Sequence, residues 1–392
     1  MSAELRGFDA DNHYYEALDA FTRHIEPAFA KRCMQWATID GKTRLLVGGK
    51  ISRFLANPTF HQLSAPGSLE DYFRGKNESG ASVVELFGEL EPCRPEYRDR
   101  DARLRVMDEQ RLDGAFFFPT LGVGMEQSLK HDLPAAAAAF RAFNRWMDED
   151  WGFHYKERIF AAPYLSLSDV TNAVSELQWA AGRGARVVVM QAGPVKTEVG
   201  FRSPADPMFE PFWAALEESG LTLAYHSGDT AYSEILPMWG EDAQLNAHGS
   251  TTMRALTSAV PIADTLAALI ADGVFTRHPR LRVATIESGS QWVAQLFKTL
   301  GKHAGQAPGR YPEHPHDVFR RNVWVAPFYE DDLAALKDQI GVDRIMLGSD
   351  WPHTEGLAEP LAFVKDLERD GYTEAEQQAV LRDNAAALVR PA

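Results

Sequence analysis

Eight short runs rich in β-branched and aromatic residues alternate along this chain with amphipathic segments of helical period. The runs lie at 7–11, 114–119, 159–165, 185–191, 221–226, 281–287, 322–326 and 344–349. Strands that alternate with helices pack as parallel strands with the helices crossing over outside them. Eight such units close as a (β/α)8 barrel, which is the fold class the sequence predicts. Helices are expected at 99–112, 134–151, 168–182, 206–219, 262–272, 291–303 and 331–340, with Gly182, Gly184, Gly220 and Gly273 punctuating their ends. A further helix over 373–388 is expected to pack outside the barrel.

A barrel of this kind needs about 250 residues, and the chain has 392. One barrel domain spanning 1–392 therefore carries a long insertion, and the largest surplus is 20–98, after the first strand. Within it, 37–51 reads as a hairpin turning at Asp40-Gly41. The 20–98 insertion is a candidate lid or oligomer contact, and this hairpin a candidate arm reaching a second subunit of a homodimer. A second surplus, 227–261, follows the fifth strand. Both follow strands, so both belong on the C-terminal face, where barrel active sites are built.

Composition narrows the partners. With 40 basic and 55 acidic side chains the formal charge is −15, which opposes binding to nucleic acid or to an anionic membrane surface. The most apolar stretch, 133–140, is far short of the roughly 20 residues of a membrane span. No hydrophobic leader opens the sequence, and the two cysteines, Cys33 and Cys93, form no CxxC pair. The expectation is a cytoplasmic protein acting on a small molecule. No G-x-G-x-x-G after a strand, no P-loop and no G-x-S-x-G is present.

The chemistry-bearing residues fall at strand ends. Asp11 and His13 stand at i and i+2 on the first strand, so both can reach the barrel mouth. In Leu221–His226, Thr222, Ala224 and His226 share the inward face. In the run 344–353, Met346, Gly348 and Asp350 share a face, with Asp350 at the end of the eighth strand. In a closed barrel the eighth strand lies beside the first. Asp11, His13, His226 and Asp350 would then meet on one rim, as a carboxylate and imidazole set that suits a divalent metal such as zinc.

These pieces resemble the amidohydrolase superfamily, and more closely its amidohydrolase-related branch, which contains aminocarboxymuconate-semialdehyde decarboxylase. The resemblance rests on Phe8-Asp9-Ala10-Asp11-Asn12-His13, Leu223-Ala224-Tyr225-His226, His278-Pro279-Arg280 leading to Glu287-Ser288-Gly289, and Leu347-Gly348-Ser349-Asp350-Trp351-Pro352-His353. It implies one metal, zinc or manganese, held by Asp11, His13, His226 and Asp350, and a dimer. Asp11 stands where the family's usual first-strand motif has His. The fourth strand offers no Lys before Lys196, and Glu287 stands where many relatives carry a sixth-strand His. Both departures argue for a single ion.

Around that set, Glu287 reads as an orienter of a ligating His, a metal ligand, an acid/base, or an ion-pair partner of Arg282. His353 reads as a substrate or proton-shuttling group or a loop cap, and His248 as a substrate-binding residue. His314-Pro315-His316 lies in a Pro-rich loop and is discounted as a ligand pair. Trp36, Phe60, Tyr72, Trp239 and Phe328 are candidate mouth aromatics, and Arg53 and Arg254 candidate carboxylate partners. The leading functional expectation is a metal-dependent hydrolase with Asp350 as general base. The alternative is a non-oxidative decarboxylase of an aromatic or unsaturated acid, and a second alternative is a non-catalytic small-molecule-binding barrel.

Overall fold

The computed structural model describes residues 5–55, 57–242 and 252–390. Its barrel strands are β1 (Gly7–Tyr14), β2 (Leu112–Pro119), β3 (Ile159–Ala161), β4 (Val187–Met190), β5 (Thr222–His226), β6 (Arg282–Ile286) and β7 (Val323–Val325). Between them run the crossover helices α1 (Arg100–Glu109), α2 (Leu133–Asp150), α3 (Val170–Gly182), α4 (Glu210–Ser219), α5 (Val260–Ala271) and α6 (Gln291–Gln306), and α7 (Leu333–Ile340) follows β7. This is the α/β barrel fold that the strand–helix alternation predicts.

The backbone pairing runs as two parallel arcs, β1-β2-β3 and β4-β5-β6-β7. Single bridges join them: Tyr164 to Val189 on one side, Val325 to Ile345 and Asn12 to Trp351 on the other. The predicted eighth strand is thus an extended segment rather than a regular strand. It is tied to β1 by Ala10 N–H donating to Leu347 O (2.8 Å), Asp350 N–H to Asp11 O (2.9 Å) and His13 N–H to Trp351 O (2.8 Å). The central strands β4 and β5 are buried on both faces, as parallel strands sandwiched between helices require.

Four helices start at an aspartate whose side chain accepts a backbone N–H of the first turn: Asp99 for α1, Asp132 for α2, Asp169 for α3 and Asp332 for α7. Each such cap contributes about 1 kcal/mol. Among the described residues one helical stretch, Met253–Ala271, is long and apolar enough to cross a membrane by length and composition alone; an 18-residue window in it has mean hydropathy 1.3 and is 33% buried. Its second half is α5, whose Ile262, Leu266, Leu269 and Ile270 enter the core.

Between β1 and α1, Met34–Ile39 pairs antiparallel with Lys42–Val47. Asp40 and Gly41 both have positive φ, 53° and 71°, as a two-residue type I′ turn demands. The hairpin lays Met34, Leu45 and Val47 into the common core. The predicted last helix is interrupted: Glu374–Gln378, a π turn at Ala379–Asp383, then Asn384–Leu388. It covers the N-terminal end of the barrel rather than its outside, and Thr222, the first residue of β5, donates to Leu388 O at 2.8 Å.

Candidate functional site

Asp11, His13 and His226 are buried where β1 and β5 end. Nε2 of His13 lies 3.3 Å from Asp11 Oδ1 and 3.2 Å from Asp350 Oδ1. Nε2 of His226 lies 3.1 Å from Nε2 of His13 and 3.5 Å from Asp11 Oδ1. Two imidazole nitrogens and a carboxylate oxygen therefore converge on one small space. Nδ1–H of His226 donates to the Ser227 carbonyl at 2.7 Å. A carbonyl only accepts, so the proton is fixed on Nδ1 and the neutral ring turns its lone pair inward.

Charge within the site suits a bound cation. Burial pushes the His13 imidazole down to about 3, so it is neutral. Against burial, Asp11 and Glu287 draw the His226 imidazole up, which favours a positive charge there, whether a proton or a metal ion. Burial alone would raise the Asp11 carboxyl, but the adjoining His13 and His226 imidazoles hold it well below the usual range. Asp11 Oδ1 and Asp350 Oδ2 are buried oxygens without a hydrogen-bond partner. Orphaned oxygens beside inward-facing imidazoles fit a divalent metal ion.

Asp350 belongs to two further groups whose ligand atoms lie within 4.8 Å of one another, one with His13 and His353, the other with Glu287 and Glu355. Burial, then the charges of Glu355 and Asp11, raises the Asp350 carboxyl well above its usual range. Burial and Asp350 do the same to Glu287. Both sit at strand ends in left-handed backbone, φ 58° for Asp350 and 51° for Glu287. That conformation costs a non-glycine residue on the order of 1 kcal/mol and clusters at functional sites. Glu287 Oε2 is 3.5 Å from His226 Nδ1. It makes no pair with Arg282, whose guanidinium donates to Gly220 O at the other end of β6.

Nδ1 of His353 is 2.6 Å from Asp350 Oδ1, and its Nε2 is 3.0 Å from Thr120 Oγ1. The Thr120 hydroxyl donates to Tyr14 O at 2.9 Å, so it accepts from His353. Thr120 is itself placed by Glu16, whose Oε1 accepts from the N–H groups of Leu121 (2.8 Å) and Gly122 (3.0 Å).

Above these groups opens a cavity of about 730 Å³. Of the aromatic candidates, Phe60 and Phe328 line it, whereas Trp36, Tyr72 and Trp239 do not. Arg254 lines it with Nη1 3.5 Å from Asp229 Oδ1 and 3.3 Å from Ser233 Oγ, while Arg53 pairs with Asp242. His248 lies outside the described residues. His314 caps the helix Pro315–Asn322, and His316 Nε2–H donates to Phe297 O, away from the site.

Sequence reasoning missed Thr120, Glu16 and Glu355, which match no motif, and Asp9, which sits inside the first one. Asp9 accepts from Asp11 N (3.1 Å), Asn12 Nδ2 (2.8 Å), Ser349 N (3.0 Å) and Ser349 Oγ (2.5 Å). It thereby ties the Asp11 strand to the Asp350 segment. Arg103, fully buried, donates to Asn12 Oδ1 and to His13 O (2.7 Å) from the other side.

The sequence model of the amidohydrolase family matches residues 54–390. Gamma-resorcylate decarboxylase of Rhodococcus jostii is 26% identical over 310 residues, covering 74% of this chain and 87% of that protein. Among solved structures, an amidohydrolase from Mycobacterium avium subsp. paratuberculosis superposes with TM-score 0.93 at 43% identity, over 99% of this chain and all of that one. The 5-carboxyvanillate decarboxylase of Novosphingobium aromaticivorans, crystallised with manganese and a nitrobenzoic acid, shares the fold at TM-score 0.61 and 17% identity, over 98% and 96% of the two chains.

Proposed function

The chain belongs to the amidohydrolase family, and from that premise we propose that it is a metal-dependent, non-oxidative decarboxylase of an aromatic or unsaturated carboxylic acid. The observation that carries the reading is the convergence of Asp11 Oδ1, His13 Nε2 and His226 Nε2 beside Glu287, whose carboxyl burial and the Asp350 charge raise well above its usual range. The decarboxylase relatives and the manganese-containing neighbour support it. They favour decarboxylation over the hydrolysis that the sequence analysis ranks first.

In this reading Asp11, His13, His226 and Asp350 hold one divalent ion, manganese or zinc. When bound, the ion supplies a Lewis acid that attracts the substrate's carboxylate and an adjacent oxygen into a site otherwise surrounded by carboxylates. Loss of CO2 from an aromatic acid needs a proton on the carbon that bears the carboxylate. The carbon–carbon bond then breaks, its electron pair returns to the ring, and CO2 leaves. Glu287 is the proton donor: its carboxyl stands on the cavity floor. His353, sharing one proton with Asp350 and braced by Thr120, orients the substrate from the β1 side.

The test is turnover of a panel of ortho-hydroxybenzoates by manganese-loaded protein in D2O. The expected result is CO2 release with deuterium at the vacated carbon, abolished in Asp11→Ala and slowed at least about a hundredfold in Glu287→Gln. Cleavage of esters or lactones without CO2 would instead establish the hydrolase. Near-normal CO2 release by Glu287→Gln would remove Glu287 from the role of donor.

A further inference from the structure

We infer that the substrate is an aromatic acid bearing a large apolar extension, a second ring or an alkyl chain, rather than a compact single-ring acid. The inference rests on the decarboxylase reading and concerns the part of the site that reading leaves unused.

The cavity is far larger than its polar floor. Its volume is about 730 Å³. It falls in the upper half of the 300–1,000 Å³ range of clefts that enclose drug-sized ligands. A single ring engaged by Glu287, His353 and the Asp11–His226 cluster fills only the bottom.

Much of the rest of the lining is apolar, interspersed with neutral polar groups such as Asn57, Gln62 and Ser258, and comes from outside the barrel strands. Phe54, Phe60, Phe73 and Phe87 in the lining come from the segment between β1 and α1. Leu236, from the segment after β5, and Phe328, after β7, join them in the lining. Three lining residues are large apolar side chains left open to solvent: Phe73 at 45%, Leu90 at 48% and Phe328 at 38% exposure. Exposed apolar groups grouped around one mouth, continuous with a polar floor, are the mark of a ligand groove. Charge selects the ligand's shape further. Arg254, the one Lys or Arg side chain among the described lining residues, lies against Asp229 and Ser233. An acid is therefore received at the floor, and what projects past the floor meets phenyl rings and leucines. A hydrophobic tail gains affinity there and a second carboxylate does not.

The experiment is calorimetric binding of salicylate, 4-phenylsalicylate and 4-decylsalicylate to the manganese-loaded protein. The expected result is a dissociation constant that falls at least about tenfold along the series. Most of that gain should vanish in a Phe73→Ser, Leu90→Ser double variant and, separately, in Phe328→Ser. These side chains are half-exposed, so the variants keep the fold, checked by their melting temperature. Equal affinity across the series, or exclusion of the longer acids, overturns the inference and leaves the decarboxylase reading standing. Binding of 4-phenylphenol with no binding of any of the acids overturns that reading, and with it the acid half of this inference.

Discussion

The Nε2 atoms of His13 and His226 face each other 3.1 Å apart, and Nδ1 of His226 is spent on the Ser227 carbonyl. The inward lone pair of His226 and the carboxylate oxygens of Asp11 and Asp350 around His13 make a buried, electron-rich space that a cation stabilises. Loading with Mn2+ or Zn2+ should therefore raise the melting temperature. At a free metal concentration a hundred times Kd the gain in stability is about 2.7 kcal/mol. Chelation should reverse it, and Asp11→Ala and His226→Ala should abolish it. Differential scanning calorimetry with metal analysis checks this, and a melting temperature indifferent to metal would mean that the cluster is not a metal centre.

Asp9 is expected to matter more for stability than one polar residue of the first strand would. Asp9→Ala leaves the N–H groups of Asp11 and Ser349 and the Ser349 hydroxyl without their acceptor, in a fully buried position. Each orphaned buried donor costs about 1–3 kcal/mol, so a loss of roughly 3 kcal/mol or more in urea unfolding is expected. Metal affinity should fall with it, because Asp9 joins the two chain segments that carry Asp11 and Asp350.

The convergence of Asp11, His13, His226 and Asp350 was legible from sequence because strand alternation and barrel closure are geometric rules. Once the strand ends are located, the side chains that meet at the mouth follow. The eighth strand was misjudged in kind, since residues 345–351 make bridges on both sides without a regular ladder. Asp9, Thr120 and Glu16 were not legible. Each acts through contacts separated by roughly a hundred residues or more, such as Asp9 to Ser349 and Glu16 to Leu121, and no local period encodes such a contact. The hairpin turn at Asp40-Gly41 was legible because its chemistry is local. The layout of the cavity walls was not, because the segment between β1 and α1 is placed by packing alone.

Thr120 should act as a positioning residue. Its hydroxyl donates to Tyr14 O and accepts from His353 Nε2–H, which leaves Nδ1 of His353 and Asp350 to share one proton. In Thr120→Val this restraint is gone. The expected outcome is a fall in kcat of about tenfold with KM nearly unchanged, together with a changed tautomer signature for His353 in nitrogen-15 NMR. An unchanged spectrum would remove Thr120 from this role.

The buried Glu126 sets a pH dependence away from the site. Burial raises its carboxyl from 4.5 to about 7, offset only in part by a hydrogen bond from Ser166. The folded protein therefore keeps this proton when the unfolded chain has lost it. The stabilisation is complete below pH 4.5, is lost as pH rises from 4.5 through about 7, and stays lost above. Its size is about 3 kcal/mol at 1.36 kcal/mol per pH unit. Glu126→Gln should melt close to the native protein at pH 5 and clearly above it at pH 8. Equal melting temperatures at both values would show that the carboxyl ionises without cost.

Gly348 offers a test of how tightly the candidate metal centre is set. A Cβ at this position would stand 3.1 Å from Asp11 Cβ and 3.0 Å from Ala326 Cβ, closer than carbon atoms pack at their optimum of about 3.5–4.0 Å. Ala326 is buried and has little room to yield, so the shift falls on Asp11. Displacing one ligand by a few tenths of an ångström barely changes buried area, and the expected stability loss is about 1 kcal/mol. It does spoil convergence with His13 and His226, so metal affinity should fall about tenfold or more. Isothermal titration of Gly348→Ala with Mn2+, beside its urea unfolding curve, separates the two. A large stability loss with unchanged metal affinity would mean that the strain is absorbed by Ala326 and that Asp11 is held more rigidly than its contacts imply.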